Sequence, residues 1–152
     1  QEGAVLGYNP QKPGRPSHTY HTYMMANLRL VLEVEVQPGN QSNSNHSLPG
    51  LVSLLKRFPI DSRPEFVRGD IAWGTDPVMK ELEDMGQAYL FKLKKTKNIK
   101  ALIYKHHGLG EWRYINANWE IKEDTVQLHG WDKARRVAIV RRKLSRKDSI
   151  IG

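Results

Sequence analysis

In the stretch EFVRGDIAWGTDP, residues 65–77, Asp70 follows a short apolar run and a glycine and stands three residues before Trp73. A carboxylate there has three possible uses: the acid of an Arg-Gly-Asp adhesion loop, a polar residue closing a strand, or an oxygen donor to a hard divalent cation. Magnesium takes one or two carboxylates together with phosphate oxygens and water, so the third use is phosphate chemistry. One aspartate is only a fragment of such a site. The remaining acids read as structural: Glu33 and Glu35 alternate with Val34 and Val36 as the solvated side of a strand. Glu81, Glu83 and Asp84 lie within a helix, and Glu120, Glu123 and Asp124 near a turn. Among the histidines, His106 and His107 are adjacent at a helix end and His18 and His21 bracket a strand start, so neither a metal cluster nor a nucleophile–base pair emerges. The chain has no cysteine, which removes thiolate ligands and disulfides and fits a reducing compartment.

The second chemical feature is charge. A formal net charge of +8 and a pI near 9.8 predict attraction to polyanions through phosphate neutralisation and counterion release. The excess is clustered: Lys92, Lys94, Lys95, Lys97, Lys100 and Lys105 form a run without an intervening acid, and Lys133, Arg135, Arg136, Arg141, Arg142, Lys143, Arg146 and Lys147 form another. Fourteen of the 24 basic residues fall in these two stretches, more segregation than a merely solvated surface needs.

These residues must be positioned by elements that the pattern also supplies. At 152 residues and 39% hydrophobic, the chain can bury one sizeable core. No stretch approaches the roughly 20 apolar residues of a membrane span, and the N-terminal residues lack a signal-peptide pattern. Residues 1–18 are rich in Gly and Pro and read as irregular; the Gly-Arg-Pro of KPGRPSH is either a turn leading into the first strand or a short minor-groove hook. HTYMMANL and LRLVLEVEVQPGN predict an antiparallel strand pair. SNSNHSLPGLVSLLKRF predicts a helix with Ser47 as N-cap and apolar residues at 48, 51, 52, 54, 55 and 58. EFVRGD predicts a third strand, TDPVMKELEDMG a helix stopped by Gly86, AYLFKLKK a fourth strand and NIKALIYKHH a helix with a cationic C-terminus. From residue 111, EWRYINANWEIKED, TVQLHGW and ARRVAIVRRKL read as strands of a separate β-rich subdomain. The order is α/β, and Asp70 falls at a strand end, where open α/β sheets place ligands.

In order and spacing, QEGAVLGYNPQKPGRPSHTYH, LEVEVQPGNQSNSNH and FVRGDIAWGTDPVMKELEDMGQAYLFKLKKTKNIK, followed by the Trp-rich strands, resemble the DDE-domain transposases of bacterial insertion sequences. The resemblance covers essentially the whole chain. Its most specific pieces are PGN after an alternating strand and RGD followed by an aromatic and a glycine. It implies a ribonuclease-H-like mixed sheet with flanking helices, interrupted by a β-rich insertion. It also implies an Asp, a second Asp and a Glu that bind two metal ions, Mg2+ or Mn2+, for cutting and joining DNA phosphodiesters. Asp70 matches the second acid, as catalytic residue and metal ligand. The first Asp and the last Glu are expected outside Gln1–Gly152, so the expectation is an internal segment lacking its first strand. Residues 1–110 would form a partial core, 111–144 the insertion subdomain and 145–152 a basic tail.

The expected partners are DNA, as transposon ends and target, and further copies of the chain; no membrane is expected, and the location is the bacterial cytoplasm at the nucleoid. Expected DNA contacts are Lys12, Arg15, Asn40, Arg68, Trp73, Lys92, Lys94, Lys95, Lys97, Trp119, Trp131, Arg135, Arg136, Arg141 and Arg142. Trp112, Trp119 and Trp131 lie where family members hold a flipped base with aromatic side chains, but core packing of a small β subdomain is the preferred reading of them. A catalytically inactive DNA-binding remnant of a decayed or domesticated transposase is the alternative. The missing first strand would leave two interior sheet edges, expected to be filled by residues 3–8 folding back or by a strand from a second copy.

Overall fold

The structure is a computed structural model that describes residues 3–7, 12–40 and 43–143; the expected basic tail, with Arg146 and Lys147, lies outside the described residues. The chain divides into two compact units, Gln1–Lys92 and Leu93–Gly152. The helix at 97–107 thus groups with the strands that follow it.

In the first unit, β1 (Val5–Leu6), β2 (Pro16–Met25) and β3 (Leu30–Pro38) form an antiparallel sheet in that order. Gly14, at φ 75°, and a hydrogen bond from Arg15 N to Lys12 O make KPGR a turn that delivers the chain into β2. The plainer reading of that segment therefore holds. β1 pairs with β2 only through Val5 with Ser17 and Leu6 with Pro16. Among the described residues, no strand pairs with that edge of β2 from His18 to Met25.

The β3 alternation is correct in period but inverted in sense. Val34 and Val36 are 51% and 55% exposed, whereas Glu33 and Glu35 are half-buried and face α1 (Asn43–Lys56). The two acids are held there by specific donors. Arg57 is ion-paired with Glu33, and the Tyr23 hydroxyl reaches Glu35 Oε2 at 3.3 Å and the Ser47 carbonyl at 2.7 Å. A side chain on Gly50 would collide with the Glu35 carboxylate, so that glycine makes room for the acid under the helix. Ser47 does not cap α1, which begins at Asn43 and runs through Pro49; the serine is fully buried inside the helix. The apolar spacing read from sequence does set the packing: Leu51, Leu54 and Leu55 join Tyr23, Val78 and Leu82 in the core of this unit.

A second sheet pairs β4 (Val67–Gly69) in parallel with β5 (Tyr89–Phe91), the two joined through α2 (Asp76–Asp84). Helix α2 starts with Pro77 in its first turn, as sequence predicts, and buries Val78, Met79 and Leu82. Gly86 ends it at φ 65°, a left-handed position that glycine occupies without strain. The fourth strand is shorter than AYLFKLKK, because pairing stops where the lysines begin. The described strands thus form separate sheets, β1-β2-β3 and β4-β5, and not a continuous mixed one.

The second unit contains α3 (Lys97–His107) and a three-stranded antiparallel sheet of β6 (Arg113–Asn116), β7 (Trp119–Val126) and β8 (Arg135–Arg142). EWRYINANWEIKED is therefore a hairpin folded at Ala117–Asn118, where Asn116 Oδ1 accepts the Asn118 N–H at 3.0 Å. That turn moves Glu120, Glu123 and Asp124 from their expected place near a bend to the middle of β7. TVQLHGW is not a strand of its own: Thr125 and Val126 finish β7, and the remainder is a loop closed by the bond from Trp131 N to Leu128 O. The molecule is a mixed α/β protein of three sheets and three α-helices among the described residues.

Candidate functional site

Asp70 sits at the carboxyl end of the parallel β4–β5 pair, just beyond Gly69. Glycine is required before it by packing. A Cβ at Gly69 would come within 2.8 Å of both Phe91 Cδ1 and Trp73 Cβ. These aromatics close the end of the strand, with Trp73 6.4 Å from Phe91 and Phe91 stacked 5.0 Å from Tyr89. Asp70 then caps a short 3-10 turn, Ile71–Trp73, its Oδ1 accepting the Ala72 N–H at 2.9 Å. The strand-closing role is thus real. It commits one carboxylate oxygen, while Asp70 is exposed and Oδ2 has no donor among the described residues. No three His, Cys, Asp or Glu residues come together as a metal-binding group among the described residues, so the donors present do not by themselves fit a two-metal centre.

Around this strand end, Arg68 is exposed on β4 and Lys92 is exposed just after β5. Trp73 is half-buried and packs against the core of the unit. Lys12 and Arg15 are exposed in the turn before β2, and Asn40 is exposed just past the end of β3. There Gly39 donates its N–H to Ser17 O at 2.9 Å, and a Cβ on Gly39 would strike that same residue's backbone. The close approach explains the glycine of PGN.

In the second unit, four cations of the second basic cluster, Arg135, Arg136, Arg141 and Lys143, are ion-paired with acids of the same unit. Glu120 lies 2.9 Å from Arg141 and 2.8 Å from Lys143, and these cations hold its carboxyl below the usual range, Lys143 most strongly. Glu123 bridges Arg136 at 2.8 Å and Arg113 at 3.1 Å, and Arg136 is the main cause of its lowered pKa. Aromatic faces take the remaining stacking positions: Arg141 lies 4.0 Å from the centre of the Trp112 ring, Arg135 5.3 Å from Trp131 and Lys143 5.5 Å from Tyr114. Arg135 has a side chain only 6% exposed and is paired with Asp132 at 2.9 Å. Trp119 is set opposite Arg142 on β7 and β8, and both are exposed, as is Arg136.

The register sorts these groups by face. Glu120, Lys122, Asp124 and Val126 alternate with Trp119, Ile121, Glu123 and Thr125, so Trp119, Arg113, Arg136 and Arg142 share one face and Arg141 and Arg135 the other. Sequence reading missed the buried His106, whose Nε2 lies 2.6 Å from Asp124 Oδ2 and joins α3 to β7. That contact is the main cause of the lowered Asp124 pKa. The available signal was three acids, Glu120, Glu123 and Asp124, on one strand next to the arginine-rich ARRVAIVRRKL, since opposite charges pair across neighbouring strands. Lys94 and Lys95 stand exposed between β5 and α3 and Lys97 in the first turn of α3, and neither they nor Lys92 or Lys100 forms an ion pair among the described residues.

A strand-end carboxylate, a basic lysine run and an arginine-rich antiparallel sheet all occur on one mixed α/β chain. The family model described as the transposase DDE domain matches residues 3–147, and the chain belongs to that family. Family membership implies an enzyme that acts on DNA and binds it. Searches of curated proteins and of solved structures returned no match. No helix among the described residues is long and apolar enough to cross a membrane.

Proposed function

We propose that the chain serves as a segment of the catalytic core of a transposase of insertion-sequence type, cutting and joining DNA phosphodiesters with a divalent metal. In this reading Asp70 is one of the acids that hold Mg2+ or Mn2+, within a ribonuclease-H-like core of which β2, β3, β4 and β5 are parts. The observation that carries it is the exposed Asp70 at the carboxyl end of a parallel pair, with Oδ1 fixed by the Ala72 N–H and Oδ2 open. Further carboxylates are needed to complete such a site, because one cannot offset the dehydration of the ion. The working location is the bacterial cytoplasm at the nucleoid, and the working form is an oligomer of identical chains, supported by the edges of β2 and β4 that no strand pairs among the described residues.

DNA is held in this reading by Lys12, Arg15, Asn40 and Arg68 in the first unit, with Lys92, Lys94, Lys95 and Lys97 along the lysine run. Trp119, Arg136, Arg141 and Arg142 serve from the sheet of the second. Trp73, Trp131 and Arg135 support those surfaces by packing. Calorimetric titration of the 152-residue chain with Mn2+ tests the acid: weak binding that disappears in Asp70→Asn is expected. Tight binding that survives Asp70→Ala would place the metal elsewhere.

The second reading is a DNA-binding remnant without catalysis. It is favoured by the donor set at Asp70, a single carboxylate with one oxygen already bonded. Both readings share the DNA surfaces and differ only in the metal titration.

A further inference from the structure

Helix α3 has a buried face and an open one at clean helical spacing. Ile99 and His106 are buried, Leu102 and Ile103 half-buried, while Lys97, Lys100, Ala101 and Tyr104 are exposed. The four exposed residues line a shallow groove of about 420 Å³, and Tyr104 is 76% exposed at its end. The segment from Met85 to Gly110 contains no acid, so nothing in it offsets these lysines.

That arrangement is unfavourable for an isolated helix. Lys97 stands in the first turn, where the helix dipole disfavours cations, and Lys97 and Lys100 are like charges at i,i+3, each effect a few tenths of a kcal/mol. A polyanion laid along the stripe turns both into attractions. From Lys97 to Tyr104 the helix rises about 10 Å, long enough to pass more than one phosphate of a strand. The stripe carries no arginine, whose planar fork suits bidentate recognition, while lysine is a mobile point charge suited to phosphates of any sequence.

We propose that Lys97, Lys100 and Tyr104 form a phosphate-tracking face of α3 that docks the backbone of duplex DNA without reading its bases. The two lysines each neutralise a phosphate, and the Tyr104 hydroxyl donates a hydrogen bond to a third. The inference rests on the DNA-binding reading of the chain and adds Lys100 and Tyr104 to it.

The test is the salt dependence of binding between the 152-residue chain and a fluorescent duplex of arbitrary sequence. Each neutralised phosphate contributes about 0.9 to the log–log slope, so Lys97→Gln with Lys100→Gln is expected to reduce the slope by roughly 2. Lys100→Arg is expected to keep it. Tyr104→Phe removes a neutral donor, and is expected to weaken binding about two- to fivefold with the slope unchanged. Lys56→Gln with Lys80→Gln, on exposed positions of α1 and α2, serves as the comparison and is expected to leave the slope near that of the parent.

An unchanged slope in the α3 double variant, or an equal fall in the comparison pair, overturns the face while leaving DNA binding intact. Absence of any duplex binding by the parent chain overturns the DNA-binding reading and this inference together. Polyglutamate at equal charge is expected to leave the DNA complex in place; if it displaces the DNA, the face belongs to an acidic protein partner and the proposal fails.

Discussion

Adding a single methyl group at residue 69 probes how tightly the end of β4 is packed, because a Cβ there meets Phe91 and Trp73 at 2.8 Å. Gly69→Ala is expected to destabilise the protein by about 1–3 kcal/mol through overpacking, read as a lower urea midpoint. Gly108, at φ −84° with nothing within 4 Å of a built Cβ, is the contrasting site. There Ala is expected to be neutral or to stabilise by up to about 1 kcal/mol, since it restricts the unfolded chain without strain. Asp70 separates in the same way. Asparagine keeps an oxygen for the Ala72 N–H, so Asp70→Asn is expected to unfold within about 0.5 kcal/mol of the parent, whereas Asp70→Ala loses the cap and about 0.5–2 kcal/mol. If Asp70→Asn destabilises as much as Asp70→Ala, charge rather than capping holds the turn. The sequence alone placed Asp70 at its strand end because the signal is local. Gly69 was legible as a glycine but not as a contact, since Phe91 and Trp73 reach it only in three dimensions.

At the scale of elements, the inverted β3 shows what a period cannot say. Alternation fixes that two faces differ, but which one is inside depends on what packs there, and here Tyr23, Arg57 and Gly50 turn the Glu33 and Glu35 face toward α1. The same packing gives the first unit a pH response. Burial lowers the pKa of His21, whose Nε2 has no hydrogen-bond partner among the described residues, with Glu35 opposing and His46 adding to the shift. A base with a depressed folded pKa keeps its full contribution above the unfolded value, near 6.5, and loses it as pH falls through the folded one. Thermal melting of the parent is therefore expected to decline as pH drops below about 6.5, and His21→Gln to flatten that decline. The second unit responds in a lower window. Glu120, Glu123 and Asp124 have depressed carboxyl pKa values, the first two through Lys143, Arg141 and Arg136 and the third through His106. Their contribution is present above about pH 4 and is lost as pH falls through the folded values. A parent whose melting temperature is flat between pH 7 and pH 5 would refute the His21 assignment.

At the scale of the whole molecule, composition foretold a polyanion partner, but the even clustering of charge hid a difference between the two basic runs. The arginine cluster is spent largely on Glu120, Glu123 and Asp132, while Lys92, Lys94, Lys95, Lys97 and Lys100 form no ion pair among the described residues. Cross-strand pairing is non-local, and a list of spacings does not reveal it. Nor does the sequence reveal that the β2–β3 sheet exposes an uncharged face, where Tyr20 is opposite Val36 and Thr22 opposite Val34, next to the edge of β2 that, among the described residues, is paired only at Pro16 and Ser17. An exposed apolar face beside an unpaired edge favours association of copies, and a net charge of +8 opposes it. Salt screens the repulsion and leaves the apolar attraction, so self-association is expected to rise between about 50 and 200 mM salt. DNA binding must fall over the same interval. Light scattering of the DNA-free chain is expected to show a mass increasing with salt, and Val34→Lys with Val36→Lys to hold it at the monomer. Because both valines are exposed, that pair is expected to change stability by only about 0.5 kcal/mol per site. A parent that stays monomeric at every salt concentration, or an association indifferent to the two lysines, would show that the exposed face does not draw copies together.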